Sequence, residues 1–298
     1  MRHLKPDYNS PRALRAFLDE RNLGMRKKFG QNFLINPDAR KKLLDALGVE
    51  ANENVWEVGP GIGAMTEGLL ERGANVTAFE IDPGFIKILG ELFTEKNLAI
   101  VEGDVLRTWR KTAVEEPLSL FGNLPYNIAA VLLADFAENK QFFRKMVVTV
   151  QLETARRLMA KPGTADYSSL TVLCSSFYKI NPVLIIKESS FYPAPHVSSQ
   201  ALRFDLLPDK KTLPKYFNPV LRCLFASRRK TIQNNLLNFV SSVIMNENAA
   251  AKNETCRMIA AETFRQSGIS GGRRAETLET EEFVLLAKTA EELLDRVR

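Results

Sequence analysis

Histidine and cysteine, the side chains that most often ligate metals, are scarce in this 298-residue chain, which has two of the first and three of the second. His3 and His196 have no metal-like neighbours in the sequence, and no metal is expected in the chemistry. Cys174, Cys223 and Cys256 are odd in number, widely spaced and form no Cys-x-x-Cys pair, which argues against a disulfide framework and a zinc site. They read as small buried hydrophobes. No apolar run approaches the ~18 residues of a membrane span, and Met1-Arg2-His3-Leu4-Lys5-Pro6-Asp7 lacks the apolar centre of a signal peptide. A cytoplasmic location without a membrane partner is expected. Internal repeats and low-complexity tracts are missing as well.

What the chain does have is apolar material, 45% of its residues, enough for one large domain and a smaller one. Positive charge is in moderate excess, 41 Lys and Arg against 35 Asp and Glu, which is compatible with nucleic acid but not diagnostic of it. Ser10-Pro11 ahead of Leu14, Phe17 and Leu18 predicts a short capped helix in an N-terminal extension, residues 1–25. Arg26-Lys27-Lys28-Phe29-Gly30-Gln31-Asn32-Phe33-Leu34 interleaves basic, aromatic and amide residues. Such a stretch suits contact with phosphate and a small ligand at once, or is a solvated segment ahead of the next helix.

From residue 54 onward strands and helices alternate, with strands at 54–58, 75–79, 98–101, 118–121 and 145–150. That is the pattern of a mostly parallel sheet covered on both faces. The β-rich stretches 181–186 and 199–206 have little helix between them and predict an antiparallel pair at one edge. Beyond Leu207-Pro208-Asp209-Lys210-Lys211 the periodicity is helical, as in Phe217, Leu221, Leu224 and Phe225, then Phe283, Leu286, Leu293 and Leu294. The fold class is therefore α/β, with a sheet domain at 26–207 and a small all-helical domain at 208–298.

Gly59-Pro60-Gly61-Ile62-Gly63-Ala64 follows a strand, precedes a helix and fits the glycine-loop pattern, and Glu80 ends the next strand. The pattern describes a dinucleotide site and equally an S-adenosylmethionine site, since both need a close glycine turn and a carboxylate for the ribose hydroxyls. Pro60 removes one N–H from a loop that a pyrophosphate would want rich in donors. Asp104, at the end of the following strand, can accept from the amine of a bound adenine. Both features favour S-adenosylmethionine.

Phe121-Gly122-Asn123-Leu124-Pro125-Tyr126 lies on the next strand-to-helix loop, at the edge of the sheet where ligands bind. The exocyclic amine of adenine is a poor nucleophile because its lone pair is delocalised into the ring. Two acceptors aimed at its N–H groups, the Asn123 side-chain oxygen and the Pro125 carbonyl, would draw the electrons back. Tyr126 offers a face for a splayed-out base, worth roughly 1–3 kcal/mol. Asn and Pro are also ordinary turn residues, so a plain turn is the alternative.

Taken in order, Gly30-Gln31-Asn32-Phe33-Leu34, Glu57-Val58-Gly59-Pro60-Gly61, Glu80-Ile81-Asp82, Gly103-Asp104, Gly122-Asn123-Leu124-Pro125-Tyr126, Phe191-Tyr192-Pro193-Ala194-Pro195-His196-Val197 and Arg228-Arg229-Lys230-Thr231-Ile232 resemble the ribosomal RNA small-subunit adenine dimethyltransferases. The resemblance runs from about Lys28 to the carboxyl terminus. It implies a Rossmann-like S-adenosylmethionine-dependent methyltransferase sheet that dimethylates N6 of two adjacent adenosines near the 3′ end of 16S rRNA, on the 30S particle and as a monomer. It implies that Asn32, Leu34, Gly59, Gly61, Glu80, Asp104 and Asn123 contact S-adenosylmethionine. It further implies that Asn123, Leu124, Pro125 and Tyr126 hold the target adenine, with Phe191 on the face opposite Tyr126. His196 departs from the basic residue that many members carry there.

Basic clusters at Arg26-Lys27-Lys28, Arg156-Arg157, Lys210-Lys211, Arg228-Arg229-Lys230 and Arg273-Arg274 are candidates for rRNA phosphate contacts. The rival readings are an adenine-N6 DNA methyltransferase, a non-catalytic RNA-binding assembly or transcription factor on the same fold, and a dehydrogenase. Leu124 and the basic helical domain speak against the first, and the intact Asn123 and Glu80 against the second.

Overall fold

The structure, a computed structural model, describes residues 5–24, 31–113, 118–125, 128–208, 212–244 and 249–297, with backbone only for 249–251. Two units emerge, one of Met1–Ala155 with Tyr178–Leu206 and the other of Arg156–Phe177 with Leu207–Arg298. Arg26-Lys27-Lys28, Tyr126 and Lys210-Lys211 lie outside the described residues.

The first unit begins with α1 (Pro11–Asp19), where the Ser10 hydroxyl accepts from the Ala13 N–H and Leu14, Phe17 and Leu18 are buried. After β1 (Phe33–Leu34) comes α2 (Pro37–Leu47), started by the Asn36 side chain on the Ala39 N–H and ended by left-handed Gly48. Proline sits in the first turn of both helices, where its missing N–H would have had no intrahelical partner. Alternation then sets in: β2 (Asn54–Val58), α3 (Ala64–Glu71), β3 (Asn75–Glu80), α4 (Pro83–Leu92), β4 (Leu98–Glu102), α5 (Val105–Thr108), β5 (Leu118–Asn123), α6 (Ala129–Glu138) and β6 (Lys145–Gln151). The chain continues through α7 (Leu152–Leu158) and α8 (Ser169–Ser175), then β7 (Tyr178–Ile186), β8 (Phe191–Tyr192) and β9 (Ser199–Leu206).

Seven strands form one sheet in the order β4-β3-β2-β5-β6-β9-β7. The first five are parallel, and β9 and β7 form the antiparallel pair expected at one edge. β5 and β6 are buried at all but their last position, which is why they read as continuous apolar runs rather than alternating ones. Register brings Val58 opposite both Phe79 and Gly122, and Glu80 opposite Glu102. The carboxyl ends of β2, β3, β4 and β5 therefore share one edge. β3 and β5 flank β2 on opposite sides, so the strand order reverses there, the place where open α/β sheets bind ligands. β1 and β8 make a separate antiparallel ribbon, pairing Phe33 with Tyr192 and Leu34 with Phe191.

The second unit holds α9 (Phe217–Phe225), α10 (Ile232–Val243), α11 (Ala249–Ser267) and α12 (Thr280–Asp295). Phe217, Leu224, Leu236, Phe283 and Leu286 are fully buried in it, and the rings of Phe225 and Phe283 stack at 5.5 Å. The single boundary expected at 207/208 is corrected here, because residues 156–177 also belong to the helical unit. The Tyr167 hydroxyl donates to the Leu278 carbonyl at 2.9 Å, and the Gly163 N–H donates to the Glu276 carbonyl at 2.6 Å. The expected N-terminal extension is corrected as well, since its described part packs within the first unit.

Candidate active site

A cavity of about 330 Å³ lies against the carboxyl ends of β2, β3, β4 and β5, within the size range of small-molecule sites. Asn32, Leu34, Gly59, Gly61, Glu80, Asp104, Asn123 and Pro125 all line it, as do Gln31, Phe33, Glu57 and Ile81. The residues expected to hold the cofactor are thus brought together.

The glycine loop owes its shape to backbone freedom. Gly61 and Gly63 have φ of 59° and 91°, where a side chain would be strained. A Cβ on Gly63 would also fall 2.2 Å from the Phe93 ring. The N–H groups of the three glycines are spent inside the fold: Gly59 donates to the Phe79 carbonyl at 3.0 Å, Gly61 to Glu80 Oε2 at 3.1 Å, and Gly63 to the Pro60 carbonyl at 3.0 Å. Pro60 has no N–H to give. A pyrophosphate would find this loop poor in donors, so the site fits a nucleoside with a carboxylate-bound ribose better than a dinucleotide.

Glu80 is 5% exposed and takes three backbone bonds, from Gly61 at one oxygen and from Ile81 and Asp82 at the other, at 2.9 and 2.8 Å. Burial outweighs these bonds and pushes its carboxyl up to about 7. Two oxygens offer about four acceptor positions, so one remains for a ligand hydroxyl on Oε2. Glu57, 1% exposed on β2, is pushed up to about 8, first by burial and then by proximity to Glu80, against the hydrogen bond from the Thr66 hydroxyl at 2.7 Å. Asp104 caps α5 through the Leu106 N–H at 3.0 Å with one carboxylate oxygen.

Asn123 ends β5, and its Nδ2 donates to the Asn32 carbonyl at 3.1 Å. That bond fixes the amide and leaves Oδ1 as its acceptor. Leu124 is 1% exposed, with its N–H on the Thr149 carbonyl at 3.2 Å and its side chain over Gly122, where a Cβ would come within 2.6 Å. The Pro125 carbonyl accepts from the Ile128 N–H at 3.0 Å and the Ala129 N–H at 3.2 Å. Both of its lone pairs are thus used in starting α6, which corrects the expectation that it receives an adenine N–H. Phe191 is 3% exposed in a core cluster with Leu34, Leu43 and Phe121 and is not among the residues that line this cavity.

Reading the sequence assigned no individual role to Gln31, Glu57, Ile81 or Asp82. The Gln31 amide donates to Asp82 Oδ2 at 3.0 Å, tying the segment before β1 to the cap of α4. Ile81, 41% exposed in the cavity wall, could have been noticed as an apolar residue between two acids.

Sheet order, glycine loop and strand-end acids define a Rossmann-like S-adenosylmethionine-dependent methyltransferase with a C-terminal helical unit. Comparison with known proteins narrows the class. A profile of the ribosomal RNA adenine dimethylases matches residues 22–267. Ribosomal RNA small subunit methyltransferase A of Treponema denticola is 41% identical over 95% of either chain. The protein of that name in Treponema pallidum is 41% identical over 97% of this chain and 99% of its own. The one from Borreliella burgdorferi is 37% identical over 95% of each. Among solved structures, a dimethyladenosine transferase from Plasmodium falciparum shares the fold with a TM-score of 0.69, 24% identity and coverage of 84% of this chain and 94% of the other. The chain belongs to the ribosomal RNA adenine dimethylase family.

Proposed function

We infer that this protein transfers methyl groups from S-adenosylmethionine to N6 of adenosine in small-subunit ribosomal RNA, twice on each of two adjacent nucleotides near the 3′ end of 16S rRNA. Family membership supports the reaction and its RNA class. The observation that carries the chemistry is the Asn123 amide, whose nitrogen is held by the Asn32 carbonyl. Its oxygen is thereby set as an acceptor beside the cavity.

When bound, S-adenosylmethionine supplies a methyl group activated by its sulfonium. Glu80 is assigned, through the open position on Oε2, to a ribose hydroxyl and Asp104 to the adenine amine, with Gly59, Gly61, Asn32 and Leu34 as walls. Asn123 Oδ1 takes one N–H of the target amine and pulls electron density onto the nitrogen. The second acceptor is proposed to be the Leu124 carbonyl, which receives no bond from a described residue, in place of the occupied Pro125 carbonyl. After the first transfer one N–H remains for Asn123, so the same side chain serves the second. The proton leaves after the methyl arrives, and no base is needed. Tyr126, outside the described residues, is retained as the proposed stacking partner.

A 30S particle as substrate, a monomeric enzyme and a cytoplasmic location complete the reading. The ribosomal RNA class of the family supports the first and the last of these; among the described residues no helix is long and apolar enough to cross a membrane. The test is incorporation of labelled methyl into unmodified small subunits, with nucleoside mass spectrometry of the product. N6,N6-dimethyladenosine in 16S rRNA is expected. Label in duplex DNA or in large-subunit rRNA, or none at all, would overturn the assignment.

A further inference from the structure

Residues 5–23 lie ahead of most of the family match, which starts at residue 22, yet they reach the cofactor loop directly. The Tyr8 hydroxyl, buried and 7% exposed, donates to the Ile62 carbonyl in the glycine loop at 3.0 Å. Burial raises its pKa, so it stays a donor at any working pH. Lys5 pairs with Glu67 on α3 at 3.0 Å and stands 4.4 Å from the centre of the Phe93 ring, the ring that closes on Gly63. Leu14, Phe17 and Leu18 share a core cluster with Phe33 and Ile62, and the Phe33 ring stands where a Cβ on Gly61 would come within 3.1 Å of it.

A second tether runs to β1, another segment of the cavity lining. Arg40 donates to the Leu34 carbonyl at 2.7 Å, to the Tyr8 carbonyl at 3.5 Å and to the Asn9 side chain. Leu34 lies two residues beyond Asn32, whose carbonyl holds Asn123. The same short segment is therefore tied to two stretches of chain that line the cavity, the glycine loop and β1.

We propose that residues 5–23 are a strap that presets these two stretches of the cofactor cavity, with Tyr8 as the positioning residue for the glycine loop. A loop with glycines at 59, 61 and 63 has little intrinsic preference for one shape. Ordering it at the moment of binding would weaken affinity, whereas a loop already held gives that freedom up on folding. Loss of the strap contact consequently appears in cofactor affinity, while the rate at saturation, governed by Asn123, is retained.

The inference rests on the S-adenosylmethionine reading, and the experiment separates the two. Deleting residues 1–21 would expose the cluster around Phe33 and could unfold the unit, so the informative variant is Tyr8→Phe in the full chain, which keeps the ring and removes the donor. Titration calorimetry with S-adenosylmethionine is expected to show affinity roughly 3- to 10-fold weaker, the scale of one lost hydrogen bond. KM for the methyl donor should rise by the same factor with kcat unchanged. Arg40→Met should act in the same direction, and Arg40→Lys, which keeps a donor for the Leu34 carbonyl, should recover part of the loss. Unchanged affinity in Tyr8→Phe overturns the strap, whether the melting temperature falls or not. Failure of the wild-type protein to bind S-adenosylmethionine overturns the cofactor reading and the strap with it.

Discussion

If Glu80 holds the ribose as proposed, cofactor binding is expected to depend on pH in a direction opposite to the stability of the free protein. Buried at 5% exposure, its carboxyl is pushed up to about 7, and a hydroxyl donor needs the ionised form. At pH 5.5 only about 3% of such a group is ionised, against nearly all at pH 8.5, so affinity is expected to rise about 30-fold between them. Free protein behaves the other way. The folded pKa lies above the unfolded value of 4.5, so the Glu80 contribution to stability is fully present below the latter and is lost as pH rises through about 7. By pH 8 that loss is on the order of 3 kcal/mol, and Glu57, pushed up to about 8, extends the window upward. The assay is calorimetry with 5′-methylthioadenosine, which has the adenine and ribose but lacks the α-amino group that titrates at roughly 7.7–8.0. Melting curves with and without this ligand complete it. An affinity flat from pH 5.5 to 8.5 would refute the assignment of Glu80 to the ribose.

Asn123→Ala is expected to lower kcat roughly 10²-fold or more, as for other deleted hydrogen-bond partners of a transition state, with affinity for S-adenosylmethionine within a few-fold of wild type by calorimetry. Gly63→Ala places a methyl group 2.2 Å from Phe93 at a φ of 91°, and chemical denaturation should show a loss of about 3 kcal/mol. Arg228 pairs with Glu276 at 3.2 Å, whereas exposed Arg229 and Lys230 have no ion-pair partner among the described residues. Replacing only the latter two with Ser should leave the melting temperature unchanged and lower the log-log salt slope of 30S binding by up to ~1.4; an unchanged slope would put the RNA surface elsewhere.

The parts of the fold that could be read in the sequence were those fixed by burial on both faces of a sheet. Leu118-Ser119-Leu120-Phe121 and Met146-Val147-Val148 have no alternative as exposed chain, and Asn123, Glu80 and Asp104 announce themselves by following such runs. β1 and β8 are two residues each and exist only through their mutual pairing, which no local pattern encodes. Membership of 156–177 in the helical unit rests on tertiary bonds such as Tyr167 to Leu278. Phe191 illustrates a different limit, since a core aromatic and a base-stacking aromatic are the same letter. Whether the Pro125 carbonyl is open to a ligand depends on two N–H groups three and four residues later, which the four-residue motif does not contain.

What separates a nucleoside site from a dinucleotide site here is the hydrogen bonding of the glycine loop rather than its pattern of glycines. Because the Gly61 N–H is bonded to Glu80 Oε2, loop and acid form one unit, and the carboxylate both holds the loop and lines the cavity. Charge and length can then be separated by substitution. Glu80→Asp keeps the charge but withdraws it by roughly 1.5 Å, too far to retain the 3.1 Å contact with Gly61 while staying on Ile81 and Asp82. If the loop depends on that contact, Glu80→Asp should lose as much S-adenosylmethionine affinity in calorimetry as Glu80→Gln, roughly 10-fold or more, in line with charge-assisted bonds of ~1.5–3 kcal/mol. Near-wild-type affinity for Glu80→Asp alongside a large loss for Glu80→Gln would show that the charge alone matters and that the loop holds its shape without it.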